Sequence, residues 1–412
     1  MSNQYSELET DKLTRFSQRA RYMLANGHAG NRTRWLLAIG LCLILLLPSG
    51  MSATLVPTDY STDVKPVNFY SANGSDVNQE HPEWGQAGTL LGRVANSSHD
   101  PNANWMGLAD LPNPRNISNI VCAQPSAILD ERGLSDFNWL WGQFITHEID
   151  FTLTQNGRVG GTAAPEQANI QIAEDDPVMG APGGSQLRFF RSLYVNMTDE
   201  QGLQTREHPN SITTWIDGSS VYGSSVETSN WLRTFEDGKL KVSPNPWGDL
   251  LPVAQDDDQT APPMSFVGFS ADVRFIAGDS RANEHIALMA LHVLFIREHN
   301  RLAEDIAERN PDWSDEDIFQ LARKLVAAQI QAITYEEFLP SLGVTIAPYS
   351  GYNSAINPEV TSSFATVAFR MGHSQTGDVF LRLDESREPI ENGVMDLFDG
   401  FWTTRPVTEE GG

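Results

Sequence analysis

The chain has 412 residues, 40% of them hydrophobic and 20% charged, which is enough apolar material for a sizeable core and excludes a disordered or collagen-like polypeptide. Fifty-three acidic against 28 basic side chains leave a formal charge of −25, so a nucleic-acid backbone would be repelled and nucleic-acid binding is excluded. The cysteines are Cys42 and Cys122, and Cys42 lies in an apolar run, so neither a disulfide framework nor a cysteine metal cluster can hold the chain together.

The amino terminus predicts an address. Residues 1–34 carry six basic and three acidic side chains, Arg32 and Arg34 stand just before the apolar run Trp35–Leu47, and no further charge occurs until after Thr58. Positive-inside logic keeps such a tail cytoplasmic and exports the remainder of the chain. We expect a tail over 1–34, a signal peptide or type II membrane anchor over 35–56, and an extracellular body over 57–412, secreted or tethered. Asn73, Asn96, Asn116 and Asn196 head Asn-x-Ser/Thr triplets, which agree with export and glycosylation although such triplets often arise by chance.

Residues 57–125, rich in Asn, Pro, Gly and Ser, read as extended loops. Helical periodicity appears over Asp136–Thr154, Asn283–Arg309 and Ser314–Tyr335, with a further helix over Ser362–His373. In the second of these, Ile286, Met289, Leu291, Val293, Leu294 and Ile296 interleave with Arg297, Glu298 and Arg301, which predicts burial along most of its length. Between 155 and 280, Gly and Pro divide the chain into loops and short elements. There is no internal repeat. The expected fold class is mainly α, with long connections and hardly any sheet.

Within Trp141–Thr152, Gln143 and His147 stand at i and i+4 on one helical face while Glu148 turns onto the next, so one helix can serve two sites. His147 suits a proton carrier and Glu148 a hard oxygen ligand. Thr213, Trp215, Asp217 and Ser219 share one parity, and hydroxyls, a carboxylate and a Trp carbonyl at alternate positions suit Ca²⁺; alone, the pattern describes an ordinary turn better. Arg281 and Glu284 lie at the entrance to the long helix, and Arg370 and His373 lie near the end of the chain. Taken singly, His147 and His373 are better read as core residues than as ligands. His292 reads as packing, His299 as part of a surface network, His28, His81, His99 and His208 as solvated, and Trp139, Trp141 and Trp215 as core.

Together these segments carry more. The ordered set Trp141-Gly-Gln-Phe-Ile-Thr-His147, Thr214-Trp-Ile-Asp-Gly-Ser-Ser-Val-Tyr-Gly223, Gly278-Asp-Ser-Arg281, Arg297-Glu-His-Asn-Arg-Leu-Ala303 and Phe369-Arg-Met-Gly-His373 resembles the animal-type haem peroxidases, from about Asp63 to the end. The resemblance implies a peroxidase that reduces hydrogen peroxide and oxidises a halide or small organic donor through a ferryl intermediate, with haem b and Ca²⁺ as cofactors. It assigns His147, Gln143 and Arg281 to the distal pocket and His373 to the proximal iron ligand. Arg370 matches a propionate contact, and Glu148, Thr213, Trp215, Asp217 and Ser219 match a calcium site in which Glu148 replaces the usual Asp. Of the family's two haem ester positions, Thr146 cannot form one and Glu284 can; His285 replaces a Met that forms a sulfonium link in one subgroup.

The family continues far beyond the proximal His, whereas this sequence ends at Gly412. A further segment or a partner chain is therefore expected to supply the Asn that hydrogen-bonds the proximal imidazole, a contact whose loss costs roughly 10–100-fold in metal affinity or activity. Two alternatives stand beside the peroxidase. A fatty-acid dioxygenase of the cyclooxygenase-like branch would need a Tyr at the position of Arg370, and a non-catalytic adhesion or matrix protein would have no need of the intact set Gln143, His147, Arg281 and His373.

Overall fold

The computed structural model describes residues 69–95, 111–124, 126, 128–154, 167–198, 202, 204–255, 257–265 and 273–410. The predicted tail and apolar segment, with Cys42, His28, Asn96 and His99, lie outside them. Asp63–Ile128 and Leu134–Gly412 form one compact unit. Leu129–Gly133 stand outside that unit, as a turn in which the Arg132 N–H donates to Asp130 Oδ1 at 2.8 Å.

Helices dominate the main unit: α1 Pro114–Val121, α2 Phe137–Ile149, α3 Ser219–Tyr222, α4 Val226–Leu232, α5 Ile286–Arg309, α6 Asp315–Ala332, α7 Leu339–Ser341, α8 Ser362–Thr366 and α9 Arg405–Glu409. The sheet content of the described residues is three antiparallel pairs: β1 Ile170–Ile172 with β2 Ser185–Leu187, β3 Val195–Thr198 with β4 Gln204–Glu207, and β5 Val379–Leu383 with β6 Pro389–Asp396. In the last pair Phe380 faces Met395, and an irregularity in register comes after Leu381. The fold is mainly α with little sheet, as expected.

The core lies where α5, α6 and α2 meet. Helix α5 buries Leu288, Met289, Phe295, Ile296 and Leu302, α6 buries Phe319, Ala322, Val326 and Ile330, and α2 adds Phe144, stacked 5.3 Å from Phe295. Each large apolar side chain withdrawn from water contributes roughly 1.5–3 kcal/mol before entropy is charged. Helix α6 begins with a capping box between Ser314 and Asp317, and its acidic first turn complements the helix dipole. It ends in a π-helical segment, Ile333–Phe338, where Thr334 Oγ1 accepts the Trp141 indole N–H at 3.3 Å.

Several boundaries differ from the sequence reading. Helix α1 interrupts the expected loop region, because Asn113 caps it and Pro114 opens it with a preset φ. Helix α2 stops at Ile149, whose carbonyl accepts from Asn210 Nδ2 at 2.9 Å. Helix α5 starts at Ile286, since His285 is its N-cap. The helix expected over Ser362–His373 breaks at Val367 (φ −126°, ψ −64°) into α8 and a 3₁₀ segment, Ala368–Gln375. The β-branched pair Thr366–Val367 disfavours continuation.

The histidines also need correction. His299 is fully buried rather than part of a surface network; its ring contacts Tyr222 Oη at 2.8 Å and the Gly238 carbonyl at 2.9 Å. His208 is tied to the Leu193 carbonyl at 2.8 Å, and His81 stacks on Trp84 at 3.7 Å, so neither is simply solvated. His292 is packed as expected, buried with its ring edge-on to Phe144 at 5.4 Å. Trp139 and Trp141 are buried, whereas Trp215 is half-buried and its indole N–H reaches the carbonyls of Gly74 and Trp84. Among the triplet asparagines, Asn116 and Asn196 are exposed and Asn73 is half-buried. Cys122 is a free, exposed thiol.

Candidate active site

Helix α2 and the turn before α5 build one cluster. Gln143 and His147 share a face of α2, and Arg281 closes the end of that helix: its Nη2 donates to the carbonyls of His147 at 3.4 Å and Asp150 at 3.2 Å. A cation at a helix C-terminus satisfies carbonyls that lack intrahelical partners and complements the dipole. Arg281 is held there by Asp279, whose carboxylate takes Nε at 2.9 Å and Nη2 at 2.7 Å, while Nη1 has no partner among the described residues. Gly278 permits this approach. A Cβ there would lie 2.4 Å from the Gly223 nitrogen and 2.5 Å from the Ser219 carbonyl, so a larger residue would push Asp279 away from α3.

His147 is buried, its Nδ1 has no hydrogen bond among the described residues, and Asp279 Oδ1 stands 3.7 Å away. Burial, followed by the Arg281 charge, drives its pKa well below the ordinary histidine range and outweighs Asp279, so the ring is neutral at physiological pH. Burial would raise Asp279, but the Arg281 charge and its hydrogen bonds reverse that and hold it at about 2. Glu284 is raised to about 7, by burial first. Its Oε2 accepts the Gln143 amide N–H at 2.9 Å, and Gln143 Oε1 faces His285 Nε2 at 2.7 Å.

Arg370 joins the cluster through Asp150, with Nη2 to Oδ1 at 3.5 Å, and its Nε donates to the Ala365 carbonyl. His373 comes three residues later in the 3₁₀ segment, on the same face, because such a helix repeats every three residues. It is exposed and makes no hydrogen bond among the described residues, and partial burial together with Arg370 lowers its pKa. Its connection to His147 therefore runs through Arg370, Asp150 and Arg281 rather than by contact.

The second predicted set converges behind α2. Glu148 is fully buried and its two oxygens accept the backbone N–H groups of Gly218 (2.5 Å), Ser219 (3.0 Å) and Ser220 (2.8 Å). Asp217 Oδ1 accepts from the Thr213 hydroxyl at 3.2 Å and from the Ser219 N–H at 3.1 Å, and the Ser219 hydroxyl donates to the Glu148 carbonyl. Trp215 enters by its carbonyl, 3.4 Å from Thr213 Oγ1. Asp217 Oδ2 is buried without a hydrogen bond among the described residues, and Arg323 Nη2 lies 3.7 Å away. Burial raises the pKa of both carboxylates; their proximity raises Glu148 further, while Arg323 pulls Asp217 back.

The profile of the family described as animal haem peroxidase matches residues 69–412. The chain belongs to the animal haem peroxidase family. Among its relatives, human lactoperoxidase is 34% identical, with 84% of this chain and 52% of that protein aligned, and human peroxidasin homolog is 32% identical, with 84% and 25% aligned. Peroxidase A from Dictyostelium discoideum superimposes with a TM-score of 0.71 at 28% identity, over 83% of this chain and 66% of that one. An Arabidopsis thaliana fatty acid alpha-dioxygenase shares the fold at 19% identity, with a TM-score of 0.58 over 82% of this chain and 54% of that one. The chain thus spans about half the length of lactoperoxidase and a quarter of peroxidasin homolog.

Membership of the haem peroxidase family implies haem, and the residues suit it. His373 offers a neutral imidazole with no competing partner, and His147, also neutral, is free to take a proton. Asp279, Asp150 and the His285–Gln143 contact escaped the sequence reading. Asp279 sits two residues before Arg281, a spacing that could have revealed it; the other two depend on folding.

Proposed function

We propose that this chain binds haem and uses it to reduce hydrogen peroxide, oxidising a halide or a small organic donor. The observation that carries the reading is the buried, neutral His147 beside an Arg281 that Asp279 locks in place. His373 would hold the iron, Arg370 a propionate, and Glu284 at most one ester link. Bound haem supplies the redox chemistry that cleaves the peroxide O–O bond. His147 takes the proton of hydrogen peroxide and returns it to the departing oxygen, general base and then general acid. Arg281, permanently charged, stabilises the negative charge that develops on that oxygen through its unpartnered Nη1. Gln143, on the face of α2 that carries His147, orients water or a halide by its amide.

Ca²⁺ fits the second cluster. The unpartnered Asp217 Oδ2, the Glu148 oxygen that accepts a single backbone N–H, the Thr213 and Ser219 hydroxyls and the Trp215 carbonyl would form an all-oxygen donor set whose negative charge Arg323 meets only from 3.7 Å. The charge pattern of residues 1–47 supports export of the body, by a cleaved signal or a type II anchor, although that stretch lies outside the described residues. Among the described residues no helix is long and apolar enough to cross a membrane.

The test is reconstitution of the chain with hemin, recording the Soret band and peroxide turnover for the natural sequence and for His147→Ala. The variant is expected to keep the band and lose about 10²–10⁴-fold in turnover. Unchanged turnover would remove His147 from the mechanism, and a reconstituted chain with no Soret band would overturn the reading altogether.

A further inference from the structure

His285 is fully buried among aromatic rings, centroid to centroid 5.2 Å from Phe380, 5.0 Å from Phe401 and 5.6 Å from Trp139. Both ring nitrogens are nevertheless engaged. The Leu288 backbone N–H donates to Nδ1 at 3.1 Å, which caps α5, and Nε2 stands 2.7 Å from Gln143 Oε1. An imidazole that accepts at Nδ1 must carry its proton on Nε2, so Nε2–H is the donor and Gln143 Oε1 the acceptor. The amide of Gln143 then has one orientation. Flipped, its NH₂ would point at the Nε2–H of His285 and its oxygen at the carboxyl of Glu284; as it stands, its Nε2 donates to Glu284 Oε2 at 2.9 Å.

We propose that His285 is a positioning residue for the peroxidase site: by fixing one neutral tautomer it locks the orientation of the Gln143 amide, so that the second N–H of that amide is kept as a donor. With the oxygen turned to His285 and one amide hydrogen bound to Glu284, the other N–H of Gln143 is left for whatever sits beside His147. It selects acceptors such as an anion or the oxygen of water or peroxide. Burial supports the lock, since it pushes the His285 pKa down to about 3 and excludes the imidazolium. The inference rests on the peroxidase reading, which it deepens by giving Gln143 a fixed polarity.

Two substitutions separate positioning from structure. Asn is among the best N-caps, so His285→Asn keeps the start of α5 but is too short to reach Gln143. His285→Gln keeps a donor within reach of Gln143 and gives up the cap. On the hemin-reconstituted full chain, ¹⁵N-histidine NMR should show one ring protonated at Nε2 that is lost in either variant. Fluoride, a hydrogen-bond acceptor, is titrated by the Soret shift, and the peroxide rate is measured alongside. His285→Asn is expected to weaken fluoride and slow peroxide reduction each by about 10-fold, the equivalent of one lost hydrogen bond. His285→Gln should bring both back to within about twofold of the natural sequence, at a lower melting temperature. The proposal is overturned if His285→Asn leaves both unchanged, if both losses simply track the melting temperatures, or if the ring is protonated at Nδ1. A natural chain that carries haem but turns over no peroxide sinks the peroxidase reading, and the proposal with it, whereas an active natural chain indifferent to His285→Asn sinks the proposal alone.

Discussion

Replacing Glu284 by Gln should make the haem-free protein more stable, but only on the alkaline side. Burial raises this carboxyl from 4.5 to about 7, against the opposing pull of Arg281, so the folded chain holds the proton more tightly than the unfolded chain does. The penalty for ionising it is therefore absent below pH 4.5, grows as pH rises, and is complete above about 7. At about 1.4 kcal/mol for each tenfold in proton affinity, the gap amounts to about 3 kcal/mol. Gln at this position is neutral at every pH and keeps an oxygen for the Gln143 N–H. The variant should match the natural sequence at pH 4 and exceed it by about 3 kcal/mol at pH 8, a rise of roughly 4 °C in Tm for a body of this size. Urea and thermal unfolding monitored by circular dichroism across that range give the answer. Stability curves that run parallel, or a Gln variant weaker at pH 8, would refute the assignment of Glu284 as a strained buried acid.

Calcium removal should show the same sign at the other cluster. Burial raises both Glu148 and Asp217, so with chelator the protein loses stability as pH rises through their range; added Ca²⁺ should restore it, with a larger shift in Tm at pH 8 than at pH 5, and an equal shift would reject the site. Asp279→Asn should cost about 3–5 kcal/mol, because it leaves the buried Arg281 guanidinium without its carboxylate; a loss below about 1 kcal/mol in urea unfolding would contradict that pairing. After turnover with peroxide, tryptic mass spectrometry should find haem on the Glu284 peptide and none on the peptide carrying Thr146. Freely extracted haem with an unmodified Glu284 peptide would contradict the ester.

The long helices and their buried faces were legible because periodicity and core burial are the same fact seen twice. Their ends were not, since they depend on partners distant in sequence: Asn210 stops α2, and His285 begins α5 while turning its other nitrogen to Gln143. His299 was misplaced by its polar neighbours Arg297, Glu298 and Asn300. Helical spacing from Ile296 and to Leu302, both buried, would have put it inside. The candidate site was legible as a set of residue types in order, yet its geometry was not. Arg281 could be named from its motif, but its grip on the end of α2 through two carbonyls, and its anchorage on Asp279, exist only once the turn before α5 has packed against α2 and α3.

The aromatic cage around His285 has a consequence for biosynthesis. Phe380 and Phe401 are made after His373, and the Trp402 N–H reaches back to the Glu284 carbonyl at 2.8 Å. While the ribosome is still translating the sequence up to Phe401, Gln143, Glu284 and His285 are already made but the His285 ring lacks two of its aromatic neighbours. The burial that keeps the His285 ring out of water is therefore completed from the carboxyl-terminal side, after Phe380 of the β5–β6 hairpin and Phe401 have emerged and packed at the start of the long helix.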